Sequence, residues 1–193
     1  MEPAPKIYVD DKLFEQVDFS VNGPAVGEYE NCTFIDCNFS GSDLSGSKFS
    51  ECEFTGCNLA LIPLAGTALQ TVTFRNSKLL GVRFDHCAEF RFAVEFDKCI
   101  LNLSSFARRK LKGTRFIDCS LQDVDFSEAD LTGATFENCD LQRALFEGTN
   151  LEKADFRTAY NYAFDPEINR MKRAKFSRLG LAGLLAKYDL KIE

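Results

Sequence analysis

Large apolar residues recur at every fifth position along this chain, a period that belongs to neither a helix nor a strand. From Phe96 to Phe156 the fifth residue alternates strictly between Phe and Leu, through Leu101, Phe106, Leu111, Phe116, Leu121 and so on to Leu151. An upstream register runs from Phe14 through Phe34, Phe54 and Phe74 to Phe84 and fails only at Pro24. Two positions before each large residue stands a small one, as in Cys119/Leu121, Val124/Phe126 and Ala134/Phe136. Each unit therefore offers one large and one small side chain to an interior. Units this short cannot bury an apolar face alone and must stack on their neighbours.

This unit resembles that of the pentapeptide-repeat family, and the resemblance covers roughly residues 12–160. It implies an all-β solenoid, a right-handed quadrilateral β-helix with one pentapeptide per side and twenty residues per coil. Side chains twenty apart should then stack in columns. Phe14, Phe34, Phe54 and Phe74 form such a column, continued by Phe96, Phe116, Phe136 and Phe156 if two residues are inserted. Cys37, Cys57, Ser77, Cys99, Cys119 and Cys139 form a second that needs the same insertion. Both place one bulge between Phe84 and Phe96. About seven coils at roughly 4.8 Å each predict a rod on the order of 34 Å long. The chain divides into an N-terminal segment at 1–13, the β-helix at 14–160 with its bulge at 86–95, and a C-terminal α-helical cap and dimerisation tail at 161–193.

Eight cysteines would ordinarily raise disulfides or zinc. All eight, however, occupy the small slot two residues before a repeat centre, where a free thiol serves as a small hydrophobe. No cofactor and no metal site are expected, since the chain holds a single histidine, His86. Nucleophile-elbow and phosphate-loop motifs are missing. The acids Asp123, Asp125, Glu128 and Asp130 fall at outward positions and read as a solvated face, so no enzyme activity or small-molecule substrate is predicted. The N-terminus carries no pattern of a secretory signal, and no apolar run is long enough for a membrane span, which places the protein in the cytoplasm without membrane association. Net charge is −6, divided between 25 acids and 16 bases in residues 1–160 and 4 acids and 7 bases in residues 161–193. An acidic body argues against direct binding to nucleic acid.

The repeat breaks in three places. Asn22–Gly27 reads as a corner connector. The bulge carries Glu89, Phe90, Arg91 and Phe92, with Glu89 where an apolar centre belongs; a phenylalanine either points outward as an interface anchor or folds back to plug that place. Arg109 falls in a small inward slot, and the cost of burying an unpaired guanidinium predicts that it turns outward. In the tail, Asp165-Pro166 starts a helical turn and Ser177 caps a second helix. That helix would cover the last coil with Leu181, Leu184, Leu185 and Tyr188, followed by a short strand at Leu190 and Ile192. Apolar residues left over, including Leu179, predict a two-fold dimer through Leu179, Leu184, Leu185, Tyr188, Leu190 and Ile192.

The overall plan is similar to one branch of the family, proteins that protect DNA gyrase from fluoroquinolones, albicidin or microcin B17. The features that carry this are chain size, the mid-rod irregularity and the tail Asn161-Tyr162…Asp165…Asn169…Lys172-Arg173-Ala174-Lys175-Phe176-Ser177. The resemblance implies a dimeric acidic rod that mimics duplex DNA in the DNA-binding saddle of gyrase or topoisomerase IV. Candidate contact residues are Asp43, Glu53, Asp97, Asp118, Asp125, Glu128, Glu137, Glu147 and Asp155, together with the bulge. The alternative is a scaffold for some other protein with no topoisomerase role.

Overall fold

The structure, a computed structural model, describes residues 7–191. Side chains that must point inward at every fifth residue leave room for only two to four extended residues between corners, and the strands have that length. Each pairs in parallel with the segment one coil earlier, giving a four-sided parallel β-solenoid. Its first face stacks nine strands, from Leu13–Glu15 to Lys175–Phe176, in the order Phe14, Phe34, Phe54, Phe74, Phe96, Phe116, Phe136, Phe156 and Phe176. The second and third faces are ladders of single bridges, from Asp18 to Tyr160 and from Arg83 to Leu145. On the fourth face four strands, Ile7–Asp10, Gly27–Glu30, Lys48–Ser50 and Ala68–Gln70, end at the bulge. Bridges from Lys110 to Arg170 then resume the ladder.

The ladder extends beyond the repeats counted from sequence. Ile7–Asp10 pairs with Gly27–Glu30, and Lys175–Phe176 with Asp155–Phe156. Phe176 stacks 5.2 Å from Phe156, although the segment between them has left the five-residue period. Nine rungs make eight coil steps and a rod of about 38 Å rather than 34 Å.

Inside, successive rings of one column lie parallel, Phe96 to Phe116 at 5.3 Å and Phe116 to Phe136 at 5.1 Å. Rings of adjoining columns meet edge to face, as Phe116 and Phe126 do at 5.8 Å and 81°, which suits both ring quadrupoles. All eight cysteines are buried as free thiols. Cys139 Sγ donates to the carbonyls of Phe116 and Glu137 at 3.3 and 3.4 Å. Burial pushes the thiols of Cys52, Cys57 and Cys87 up to about 12, so they stay protonated. At the corners the backbone enters the left-handed region, at Asp36, Asn76, Asp118 and Asn138 among others, residue types that tolerate it. Asn22–Gly27 is a corner, closed by the Tyr29 hydroxyl donating to Ala25 O at 2.7 Å.

The cap is helical, but its two helices, Pro166–Ile168 and Leu179–Tyr188, are 3-10 rather than α. Asp165 caps the first, accepting from Glu167 N at 2.8 Å; Ser177 Oγ accepts from Gly180 N at 3.1 Å at the start of the second. Three residues per turn align different side chains than the α-helix predicted. Gly180 and Gly183, one turn apart, press on Tyr162 so closely that a Cβ on either would overlap it. Leu184 packs on the core, while Leu181 is exposed and Leu179, Leu185 and Tyr188 share the outer side. Leu190 lies outside any strand, and Ile192 lies outside the described residues.

Candidate interaction surface

The bulge has a definite start and end. Ala88 N donates to Thr67 O at 2.9 Å and Ala93 N to Leu69 O at 3.0 Å, so residues 89–92 stand off the preceding coil between those two bonds. Phe92 N closes the turn on Glu89 O at 3.3 Å, with Arg91 at φ 56°. Glu89, in the place of a repeat centre, is exposed. Its role passes to Phe92, half-buried against the core, while Phe90 points away from the rod with 70% of its surface exposed. The Arg91 guanidinium lies 5.3 Å from the Phe90 ring centre. The two phenylalanines thus divide the alternatives that the sequence left open.

Arg109 corrects the sequence expectation. It does not turn outward but lies buried, 4% exposed, in the small slot of the coil after the bulge. Its Nε donates to Phe84 O at 2.8 Å, and its Nη2 donates to Asp85 O at 2.8 Å and to Cys87 O. The guanidinium also sits 5.1 Å from the Phe92 ring centre. The two extra residues spread the fourth face between Leu69 and Leu111 and free carbonyls that no strand satisfies. A planar donor with five N–H groups fits that vacancy. Its cost of burial is offset because two of its three bonds go to the carbonyls of Asp85 and Cys87, which no backbone N–H reaches among the described residues, while the third joins Cys87 N on Phe84 O. The signal was present in the sequence as the only basic residue in an inward slot opposite the insertion.

Two recesses flank the bulge. One of about 320 Å³ is lined by Thr71, Thr73, Phe92, Lys110 and Lys112 among others, and one of about 470 Å³ by Glu30, Lys48, Glu51, Gln70 and Arg91.

The nine candidate acids lie on the outer surface, spread over the first and third faces and the corners beside them. Four are engaged within the rod. Arg75 bridges Glu53 at 3.1 Å and Asp97 at 3.3 Å, Arg108 reaches Glu128 at 3.2 Å, and Arg157 reaches Asp155 at 2.8 Å. The Arg157 guanidinium holds Asp155 below the usual carboxylate range. Asp43, Asp118, Asp125, Glu137 and Glu147 have no ion pair among the described residues. Asp43 and Asp125 accept instead from the backbone N–H of Ser45 and Ser127, and Asp118 from Asn138 Nδ2. In the acidic stretch 123–130, Arg143 lowers Asp123, and Asp130 is lowered despite its partial burial because Thr132 and Lys112 bond it.

A family model described as a pentapeptide repeat region matches residues 28–89 and 81–156. The chain belongs to the pentapeptide-repeat family. No curated protein matches it. Similar solved structures include full-length QnrB1, a plasmid-mediated fluoroquinolone resistance protein, 18% identical over 95% of this chain and 100% of that one, with a TM-score of 0.42. HetL, a pentapeptide repeat protein involved in heterocyst differentiation regulation in the cyanobacterium Nostoc, is 15% identical over 89% of this chain and 86% of its own, with a TM-score of 0.47.

On this pentapeptide-repeat rod the tail presents a separate apolar patch. Leu179 is 95% exposed, and Leu181, Leu185, Tyr188 and Leu190 are exposed beside it. Sequence reasoning missed the ion cluster that fastens this helix: Lys187 Nζ lies 2.9 Å from Asp165 and 2.7 Å from Glu167, which also accepts from the Tyr188 hydroxyl at 3.0 Å. Among the described residues no group of His, Cys, Asp and Glu is placed to hold a metal ion, and no helix is long and apolar enough to cross a membrane.

Proposed function

We propose that this protein is a non-catalytic, DNA-mimicking rod that binds the DNA-binding surface of a type II topoisomerase, DNA gyrase or topoisomerase IV, and protects it from a poison or antibiotic. The observation that carries the reading is the placement of Asp43, Asp118, Asp125, Glu137 and Glu147, carboxylates without an internal base on a straight rod about 38 Å long. Duplex DNA of that length carries on the order of 20 charges, so the rod is a diluted mimic. Its field steers it toward a basic groove, and specificity then comes from shaped features such as Phe90. Two copies joined through the exposed leucines of the tail would double the length of the mimic.

A second reading, a scaffold for a different protein, draws on Arg75, Arg108 and Arg157, which already neutralise four of the nine candidate acids. Supercoiling by purified gyrase, with and without ciprofloxacin, across a titration of this protein separates the two. Rescue or inhibition at micromolar protein supports the first; neither effect leaves the scaffold.

A further inference from the structure

The coil register reveals a polarity along the fourth face that the linear sequence hides. Toward the N-terminus this face and its corner with the first present Asp10, Asp11, Glu28, Glu30 and Glu51. Toward the C-terminus the same strip presents Lys110, Lys112, Lys153, Arg170, Lys172 and Arg173 against two acids, Asp130 and Glu152. Between them stands the bulge, with Phe90 projecting from it and a recess on either side. Of the six bases only Lys112 is in an ion pair among the described residues, at 3.3 Å from Asp130.

A strip that is acidic at one end, basic at the other and carries both a knob and a recess at its centre is complementary to itself when turned end for end. We propose that this face binds a second copy of the chain in an antiparallel, side-by-side pair whose two-fold axis passes beside the bulge. Such an interface is isologous and closes on itself. Counting coils outward from the axis, the Asp10 coil of one copy meets the Arg170–Arg173 coil of the other. The Glu28–Glu30 coil meets the coil of Lys153. Of the exceptions, Lys48 in the acidic half meets Asp130 in the basic half, whereas Glu152 meets Glu30, a like-charge contact within an otherwise complementary strip. At the axis Phe90 of each copy seats in the recess floored by Phe92 on the other. A strip about 38 Å long and roughly 15 Å wide buries roughly 1,100 Å² over both copies, enough for a specific contact of modest strength. The pair leaves the tail leucines and the carboxylates of the third face uncovered, so it is separate from the tail contact and independent of any topoisomerase.

A charge-swap experiment tests this. All proteins carry Leu179→Asp and Leu185→Asp to remove association through the tail, and circular dichroism confirms the fold of each. One variant adds Glu28→Lys, Glu30→Lys and Glu51→Lys, making the N-terminal half net basic like the other half; another adds Lys153→Glu, Arg170→Glu and Lys172→Glu, making the C-terminal half net acidic like the other half. Sedimentation velocity at low salt should show a dimer for the parent, monomers for each variant alone, and a heterodimer when the two are mixed. Phe90→Asp in the parent should weaken the pair by more than about tenfold, the effect of one interface anchor. A monomeric parent, a mixture that stays monomeric, or a parent dimer indifferent to all of these changes overturns the proposal and gives the face to another partner.

Discussion

Arg109 holds the bulge from beneath: its guanidinium lies 5.1 Å from the ring centre of Phe92, on the coil before, and donates to three carbonyls between Phe84 and Cys87. The rod thus fills the gap left by its own insertion with one side chain from the next coil, and Phe90 is displayed on a floor that is fixed.

Removing that side chain should loosen the bulge before the rest of the solenoid. Arg109→Ala leaves the carbonyls of Asp85 and Cys87 without a donor and is expected to cost about 2–4 kcal/mol. Denaturant unfolding measures the cost, and hydrogen exchange should rise at residues 84–93 while the coils around Phe136 stay protected.

Phe90→Ala is expected to do the opposite. Phe90 is mostly exposed, so stability should change by no more than about 0.5 kcal/mol, while protection of gyrase in the supercoiling titration falls. Unchanged protection would mean that the bulge takes no part in contacting the enzyme.

Phe116 stands mid-column with parallel rings above and below, at 5.3 and 5.1 Å, and is fully buried. Phe116→Ala should lose about 3–5 kcal/mol, because neighbouring coils fixed by their ladder bonds cannot collapse into the cavity. Thermal unfolding reads this, and the same change at Phe176, partly exposed at the end of the column, should cost less.

The cap should respond to pH through its ion cluster. Lys187 holds the carboxyls of both Asp165 and Glu167 below their ordinary values. Their contribution is complete above the unfolded carboxylate range, near about 4, and is lost as pH falls through the lower folded values. Lys187 is raised by the same partners, so its share is complete below about 10.4 and is lost as pH rises beyond that. Hydrogen exchange or proteolysis within Leu179–Tyr188 should therefore accelerate in strong acid and strong alkali and stay flat between, with the body of the rod unchanged.

The cap also shows where local reading stops. Ser177 and Asp165 were legible as helix caps because a cap needs only the next few backbone N–H groups. Which side of that helix faces the rod was not legible, since it depends on whether three or 3.6 residues make a turn. Tyr162 decides it: its close approach admits only Gly180 and Gly183, and that contact leaves Leu179 and Leu185 outside.

The sequence determined the five-residue period, and the pentapeptide-repeat resemblance which that period carries implied the solenoid and its twenty-residue coil. The cysteine and phenylalanine columns and the site of the bulge followed, because residues twenty apart must then stack. Only the tertiary structure decided what the irregular residues do there. Arg109 is buried because the bulge on the preceding coil exposes carbonyls to it; Phe92 turns in where Glu89 cannot, leaving Phe90 outside. The opposite charges of the fourth face become one polarised strip only once residues twenty apart are neighbours. Periodicity encodes repeated contacts, whereas these outcomes each rest on a single contact across coils.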